Sequence, residues 1–114
     1  MPIKSKYLFI ASMDIEPGKE ALFHEVYDTE HVPNLLKVPG VHSIARVESE
    51  PFSIMLGGEE KKMEPSGARH HAVYEIDGPH VLMSAEWGKA VEEGRWPSVR
   101  PFTSNRRHTI YRVR

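Results

Sequence analysis

Cysteine is absent from the 114 residues. That excludes thiol nucleophiles, disulfide staples and Cys-ligated zinc or iron–sulfur centres. An excess of one charge is also missing: Lys plus Arg number 15 and Asp plus Glu 16, a formal charge of −1. A domain built to lie on phosphate backbones would carry a basic surplus, so no nucleic-acid partner is expected. Long hydrophobic runs are lacking too. The longest near the start, Tyr7-Leu8-Phe9-Ile10-Ala11, is too short for a signal-peptide core and far short of a membrane span. The expectation is a cytoplasmic protein with no membrane partner. Neither internal repeats nor low-complexity tracts occur, and this length predicts a single domain over residues 1–114.

What the chain does contain is 39% apolar and 27% charged residues, which are globular proportions, and seven His and four Tyr. About Lys6 to Met13 reads as a strand ended by Asp14 and the Glu16-Pro17-Gly18 turn signal. From Lys19, Leu22, Phe23, Val26 and Tyr27 recur at helical spacing. Pro33 lacks an N–H and biases Val32 away from helical angles, so the helix is expected to end or kink near His31, with a short turn at Leu35-Leu36 stopped by Pro39-Gly40. Val41 to Val47 reads as a second strand. Pro51 to Gly67, with Gly57-Gly58 and Glu59-Glu60-Lys61-Lys62, reads as a long irregular flap or dimer-contacting arm. Arg69 to Ile76 is a third strand, Val81 to Glu93 a helix loosened at Gly88 and stopped at Gly94, residues 96–102 a loop, and Arg106 to Val113 a fourth strand.

The order β-α-β-β-α-β predicts an α+β ferredoxin-like fold, a four-stranded antiparallel sheet with two helices on one face. An energetic problem follows. The first strand is central in this topology and apolar on both sides, with Tyr7, Phe9 and Ala11 opposed to Leu8 and Ile10. Leaving one side in water forfeits about 1.5–3 kcal/mol per large side chain. A second copy packed sheet to sheet removes that exposure, so the chain is expected to be its own partner in a homodimer.

The segment Phe23-His24-Glu25-Val26-Tyr27-Asp28-Thr29-Glu30-His31-Val32-Pro33, with Val38-Pro39-Gly40 after it, resembles the signature of EthD-like proteins of the dimeric α/β-barrel superfamily. The pattern is an aromatic helix face ending in Tyr-Asp-x-Glu-His-x-Pro, then Pro-Gly before the second strand. The Pro51–Gly67 insertion is less typical of it. The resemblance implies that Tyr27 and His31 line a cleft between helices and sheet that takes a small hydrophobic, often aromatic or polyketide-like, molecule. Superfamily members include cofactor-free monooxygenases, cyclases, isomerases, dehydratases, haem-handling enzymes and proteins without established activity, and the fold does not choose among them.

The helix wheel bears on the same residues independently. At about 100° per residue, Leu22, Phe23, Val26 and Tyr27 span roughly 140°, and His31 lies about 40° beyond Tyr27, where a core face meets a polar one. The competing reading makes Tyr27 a core aromatic and His31 a helix-end cap. As a site, His31 is the expected proton acceptor, Tyr27 a hydrogen-bond donor to developing negative charge, and Asp28 or Glu30 the group orienting the imidazole. Phe23, His70, Tyr74 and Trp87 are the expected ligand-binding residues, although Trp87 and Trp96 also suit plain packing. His70 and Tyr74 share one strand face, and whether it meets the helices or a second copy is open. His24, Asp28 and His31 share a helix face, but spreading three ligands over two turns strains closure on one ion, so no metal is expected. His42 and His80 read as surface residues. The third strand, Arg69-His70-His71-Ala72-Val73-Tyr74-Glu75, lacks the glycines and stacking aromatics of an RNA-recognition strand, and the arginines near the end read as edge protection. The expected function is binding of such a molecule with cofactor-independent acid–base chemistry (dehydration, cyclisation or oxygenation); the alternative is a non-catalytic binding or regulatory dimer.

Overall fold

The structure is a computed structural model that describes residues 3–114. Six strands form: β1 Tyr7–Ile15, β2 Val41–Glu48, β3 Phe52–Leu56, β4 Glu59–Met63, β5 His70–Ile76 and β6 Thr103–Arg112. Four of them make an antiparallel sheet in the order β2-β5-β1-β6, with β5 and β1 central. With helices on one face, this is the ferredoxin-like arrangement the element order implies.

Alternation decides which side is the core. Phe9, Ala11, Met13 and Ile15 of β1, and His70, Ala72, Tyr74 and Ile76 of β5, are buried beneath the helices. The helical layer answers with Phe23, Val26, Tyr27, Leu35, Val81, Ala90, Trp96 and Val99. His70 and Tyr74 therefore face the helices. On the opposite side, Leu8 and Ile10 stand beside Val73, Thr109 and Tyr111, and this face is only half-buried.

The structure departs from the sequence expectation in several places. First, of the end or kink expected near His31, the structure has a local distortion and not an end. The helix runs as α1 Glu20–Val26, a π turn Tyr27–His31 and α2 Val32–Leu36. In the π turn the Val32 N–H reaches the Tyr27 carbonyl five residues back. Widening the helix just before Pro33 accommodates a residue that has no N–H to give. Second, Pro51–Gly67 is not irregular: β3 and β4 form a hairpin in register Phe52↔Met63 to Leu56↔Glu59. Gly57 and Gly58, at φ of 60° and 80°, make the positive-φ turn whose twist suits two strands. Third, the expected helix Val81–Glu93 breaks into a 3₁₀ turn Pro79–Met83 and α3 Ala85–Ala90. Ser84 resets it, accepting the Trp87 N–H at 3.1 Å as an N-cap. The expected loop after it contains α4 Trp96–Val99 and a further 3₁₀ turn.

Candidate functional site

Proline accommodation has a chemical consequence. The π turn carries both Tyr27 and His31 inward, where they are buried with ring centroids 4.9 Å apart. His31 stacks on Trp96 of α4 at 4.4 Å with 21° between planes. Tyr27 crosses to the sheet, where its hydroxyl meets that of Tyr74 at 3.3 Å. Only one of two paired hydroxyls donates to the other, so one O–H remains to be given elsewhere.

These groups line a cleft of about 270 Å³ between the helical layer and the β6 edge of the sheet. Its floor is Phe9, Ala11 and Met13, its walls include Leu35, Trp87 and Trp96, and Arg100, Arg106 and His108 are at its rim. His108 lies parallel to Phe9 at 5.9 Å, and Trp87 meets Phe9 edge-on at 5.9 Å. The volume is just below the usual range for small-molecule pockets, roughly 300–1,000 Å³.

Burial controls protonation here. Desolvation, reinforced by the nearby Arg100 and Arg106 charges, lowers the His31 pKa from 6.5 to about 4. The imidazole is therefore neutral at neutral pH. Its Nδ1 is sealed from solvent without a hydrogen-bond partner. Desolvation likewise depresses His108, with Arg106 adding to it. Burial pushes the Tyr27 phenol up, against the opposing Tyr74 hydrogen bond and Arg46 charge, and pushes Tyr74 up further. Both tyrosines are thus protonated donors.

Of the residues expected from the sequence, Tyr27, His31, Tyr74 and Trp87 converge on this cleft. Phe23 and His70 do not reach it. Phe23 is core, and with His70, 5.2 Å away, it borders a separate small hollow beyond Tyr27. Asp28 and Glu30 do not orient His31 either. Arg46 takes Asp28 at 2.7 Å, and Glu30 accepts the Arg95 backbone N–H at 2.8 Å and its Nε–H at 2.5 Å. These arginine bonds hold Glu30 below the usual carboxylate range. A carboxylate one residue before His31 projects to a different side of the helix, where free cations compete for it.

Nor do His24, Asp28 and His31 gather round one point, since His31 faces the cleft and Asp28 faces Arg46. A different trio, His24, Glu48 and His70, brings possible ligand atoms within 4.8 Å of one another. Arg46 already donates to His24 Nδ1 at 2.9 Å, and Arg69 lies 3.6 Å from Glu48. Two guanidiniums at the cluster oppose a metal ion by simple repulsion. Missed by the sequence reading were Trp96 as a cleft wall and Arg100, Arg106 and His108 at the rim. Strand alternation puts Arg106 and His108 on one face of β6, but which face is covered is decided only by the packing.

No known family profile matches the chain, and no curated protein of similar sequence is found. No described helix is long and apolar enough to cross a membrane. Solved structures do match. An EthD family protein of Bacillus halodurans superposes with TM-score 0.60 at 13% identity, covering 95% of this chain and 99% of that one. A putative antibiotic biosynthesis monooxygenase of Bordetella bronchiseptica gives 0.61 at 16%, covering 94% and 95%. A cofactor-independent oxygenase of Streptomyces nogalater gives 0.57 at 10%, covering 96% and 95%. At these identities the likeness is one of fold: the chain has the ferredoxin-like α/β fold seen in EthD and antibiotic biosynthesis monooxygenase proteins.

Proposed function

We propose that the cleft takes one small aromatic or polyketide-like molecule and that His31 exchanges a proton with it. The observation that carries this reading is the buried, neutral His31 ring, stacked on Trp96 and free of any carboxylate partner, at the wall of an aromatic-lined cavity. A proton leaving an acidic O–H or C–H of the ligand passes to the imidazole. The resulting pair, ligand anion and imidazolium, attract strongly in a desolvated site, which raises the basicity of His31 at the moment it is needed. The spare O–H of the Tyr27–Tyr74 pair donates to the oxygen on which charge develops. Returning the proton elsewhere on the ligand gives isomerisation, cyclisation or, with loss of water, dehydration. An electron-rich anion that reacts with dioxygen as co-substrate gives oxygenation instead, the activity of the cofactor-independent oxygenase of Streptomyces nogalater.

One observation favours a second reading, a non-catalytic binding module: Asp28 and Glu30 are both engaged by arginines, so neither positions the His31 tautomer. Replacing His31→Ala and screening phenolic and quinoid compounds separates the two. Turnover lost with binding retained supports catalysis. Binding and turnover lost together, or no turnover in the wild type, supports recognition alone.

The same proposal includes a second copy over the open sheet face of Leu8, Ile10 and Val73. It is supported by three aliphatic side chains on central strands that no helix covers. Light scattering at micromolar concentration is expected to give twice the chain mass, and Ile10→Glu, which places a charge at the centre of that face, half of it. A wild-type monomer refutes the pairing.

A further inference from the structure

Strand β6 is irregular at one point. Ser12 pairs with Arg107 and Asp14 with Ser104, so Met13 alone opposes both Asn105 and Arg106. This is a β-bulge, a device that redirects a side chain. Asn105 occupies the left-handed region at φ 52°, the one non-glycine among the described residues to do so. Asparagine tolerates that conformation better than most residues. Asp14 holds it there: its Oδ2 accepts the Asn105 amide at 3.2 Å while its Oδ1 accepts the Arg69 N–H at 2.8 Å. Beyond the bulge, Arg106 stands on the helix-covered face beside His108, at the rim of the cleft.

The charges of the cleft do not cancel. Arg100 is bound by Glu92 at 3.1 Å and by the Val91 carbonyl at 2.9 Å. Arg106 pairs with no carboxylate among the described residues. Its field reaches Tyr27, His31 and His108, each of which it perturbs. One uncompensated guanidinium therefore looks onto a cavity whose other walls include Phe9, Trp87 and Trp96, with the Glu92 carboxylate that also lines it already neutralised by Arg100.

We propose that Arg106 is the anion-recognition residue of this cleft, and that the ligand is a planar aromatic bearing a single delocalised oxyanion, a carboxylate or an ionised phenol. The proposal rests on the cleft being the ligand site. The guanidinium fork matches two oxygens of a carboxylate or one phenolate oxygen, while the ring enters between the aromatic walls. A cavity of about 270 Å³ suits one or two fused rings.

Calorimetric titration of the full chain with 1-naphthoate, 4-nitrophenolate and the neutral isostere 1-naphthamide tests this, in wild type, Arg106→Gln and Arg106→Lys. Arg106 is exposed, so both variants are expected to fold. Wild type is expected to prefer the anions to the amide by roughly 10-fold or more, the scale of one charge-assisted contact. Arg106→Gln loses that preference with the amide affinity unchanged, and Arg106→Lys keeps part of it. Preference for naphthoate alone assigns a carboxylate ligand, and preference for nitrophenolate alone a phenol. Equal anion preference in wild type and Arg106→Gln overturns the assignment of Arg106 yet leaves the cleft standing. Failure of all three probes to bind wild type overturns the cleft itself.

Discussion

Replacing His31→Leu tests the electrostatics of the site without any substrate. In the folded chain the His31 pKa falls from 6.5 to about 4. Unfolded, the imidazole takes a proton as pH drops through about 6.5, whereas the folded protein refuses it until about 4, so acid favours the unfolded state. The stability that burial of neutral His31 preserves is complete above about pH 6.5 and is lost as pH falls toward 4. A drop from 6.5 to about 4, at about 1.4 kcal/mol per pH unit, comes to about 3 kcal/mol. Desolvation is the first cause, and Arg100 and Arg106 add to it. The leucine variant has no proton to refuse. Its stability at pH 7 is expected to be close to wild type, because it loses the Trp96 stack but also removes a sealed, unpartnered Nδ1. Urea denaturation from pH 7 to 4 is the assay. With a slope of about 1–3 kcal/mol per molar, the wild-type midpoint should fall by roughly 1–3 M more than that of the variant over this range. Using the difference between the two chains cancels His70 and His108, whose pKa values are also depressed. Parallel curves, or a His31 ring signal in NMR that titrates near 6.5, would refute the claim that the imidazole is held neutral by burial.

Tyr27→Phe leaves the Tyr74 hydroxyl, itself buried, without its partner 3.3 Å away, at a cost of about 1–3 kcal/mol in thermal or chemical denaturation; turnover should fall further than ligand affinity if that hydroxyl pair stabilises an anion formed during reaction. Gly40→Ala is expected to destabilise by about 2 kcal/mol or more: φ is 92° there, and a Cβ would lie 2.6 Å from Val81 Cγ2, so the melting temperature should fall by several degrees. Gly18→Ala, at a similar φ of 90° but in open space, is the control; equal losses at both positions would show that the contact with Val81 is immaterial.

Legibility divides along a physical line. The strands are visible because apolar runs bounded by Asp, Pro and Gly are local signals, and the Ser84 cap and the hairpin each turn on local chemistry that coarse periodicity overlooks. Pro33 does disturb the helix, but a helix can widen rather than stop, and nothing adjacent in the chain reports that choice. The inward position of Tyr27 and His31 followed from spacing and resemblance, whereas Phe23 and His70 were grouped with them on shared faces alone. Two residues on one face of a sheet still fall on opposite sides of a third, as Tyr27 separates His70 from the cleft.

By itself, then, the chain's order of residues determined the four-stranded topology, the doubly apolar first strand and the aromatic helix that carries His31, because hydrophobic period and turn chemistry are properties of neighbours in sequence. Only tertiary structure decided that Trp96 covers His31, that Arg46 and Arg95 claim the carboxylates beside it, and that Arg106 overlooks the cavity. Desolvation and Coulombic fields act through space between residues as far apart as 31 and 106, and they exist only once packing has brought those residues together.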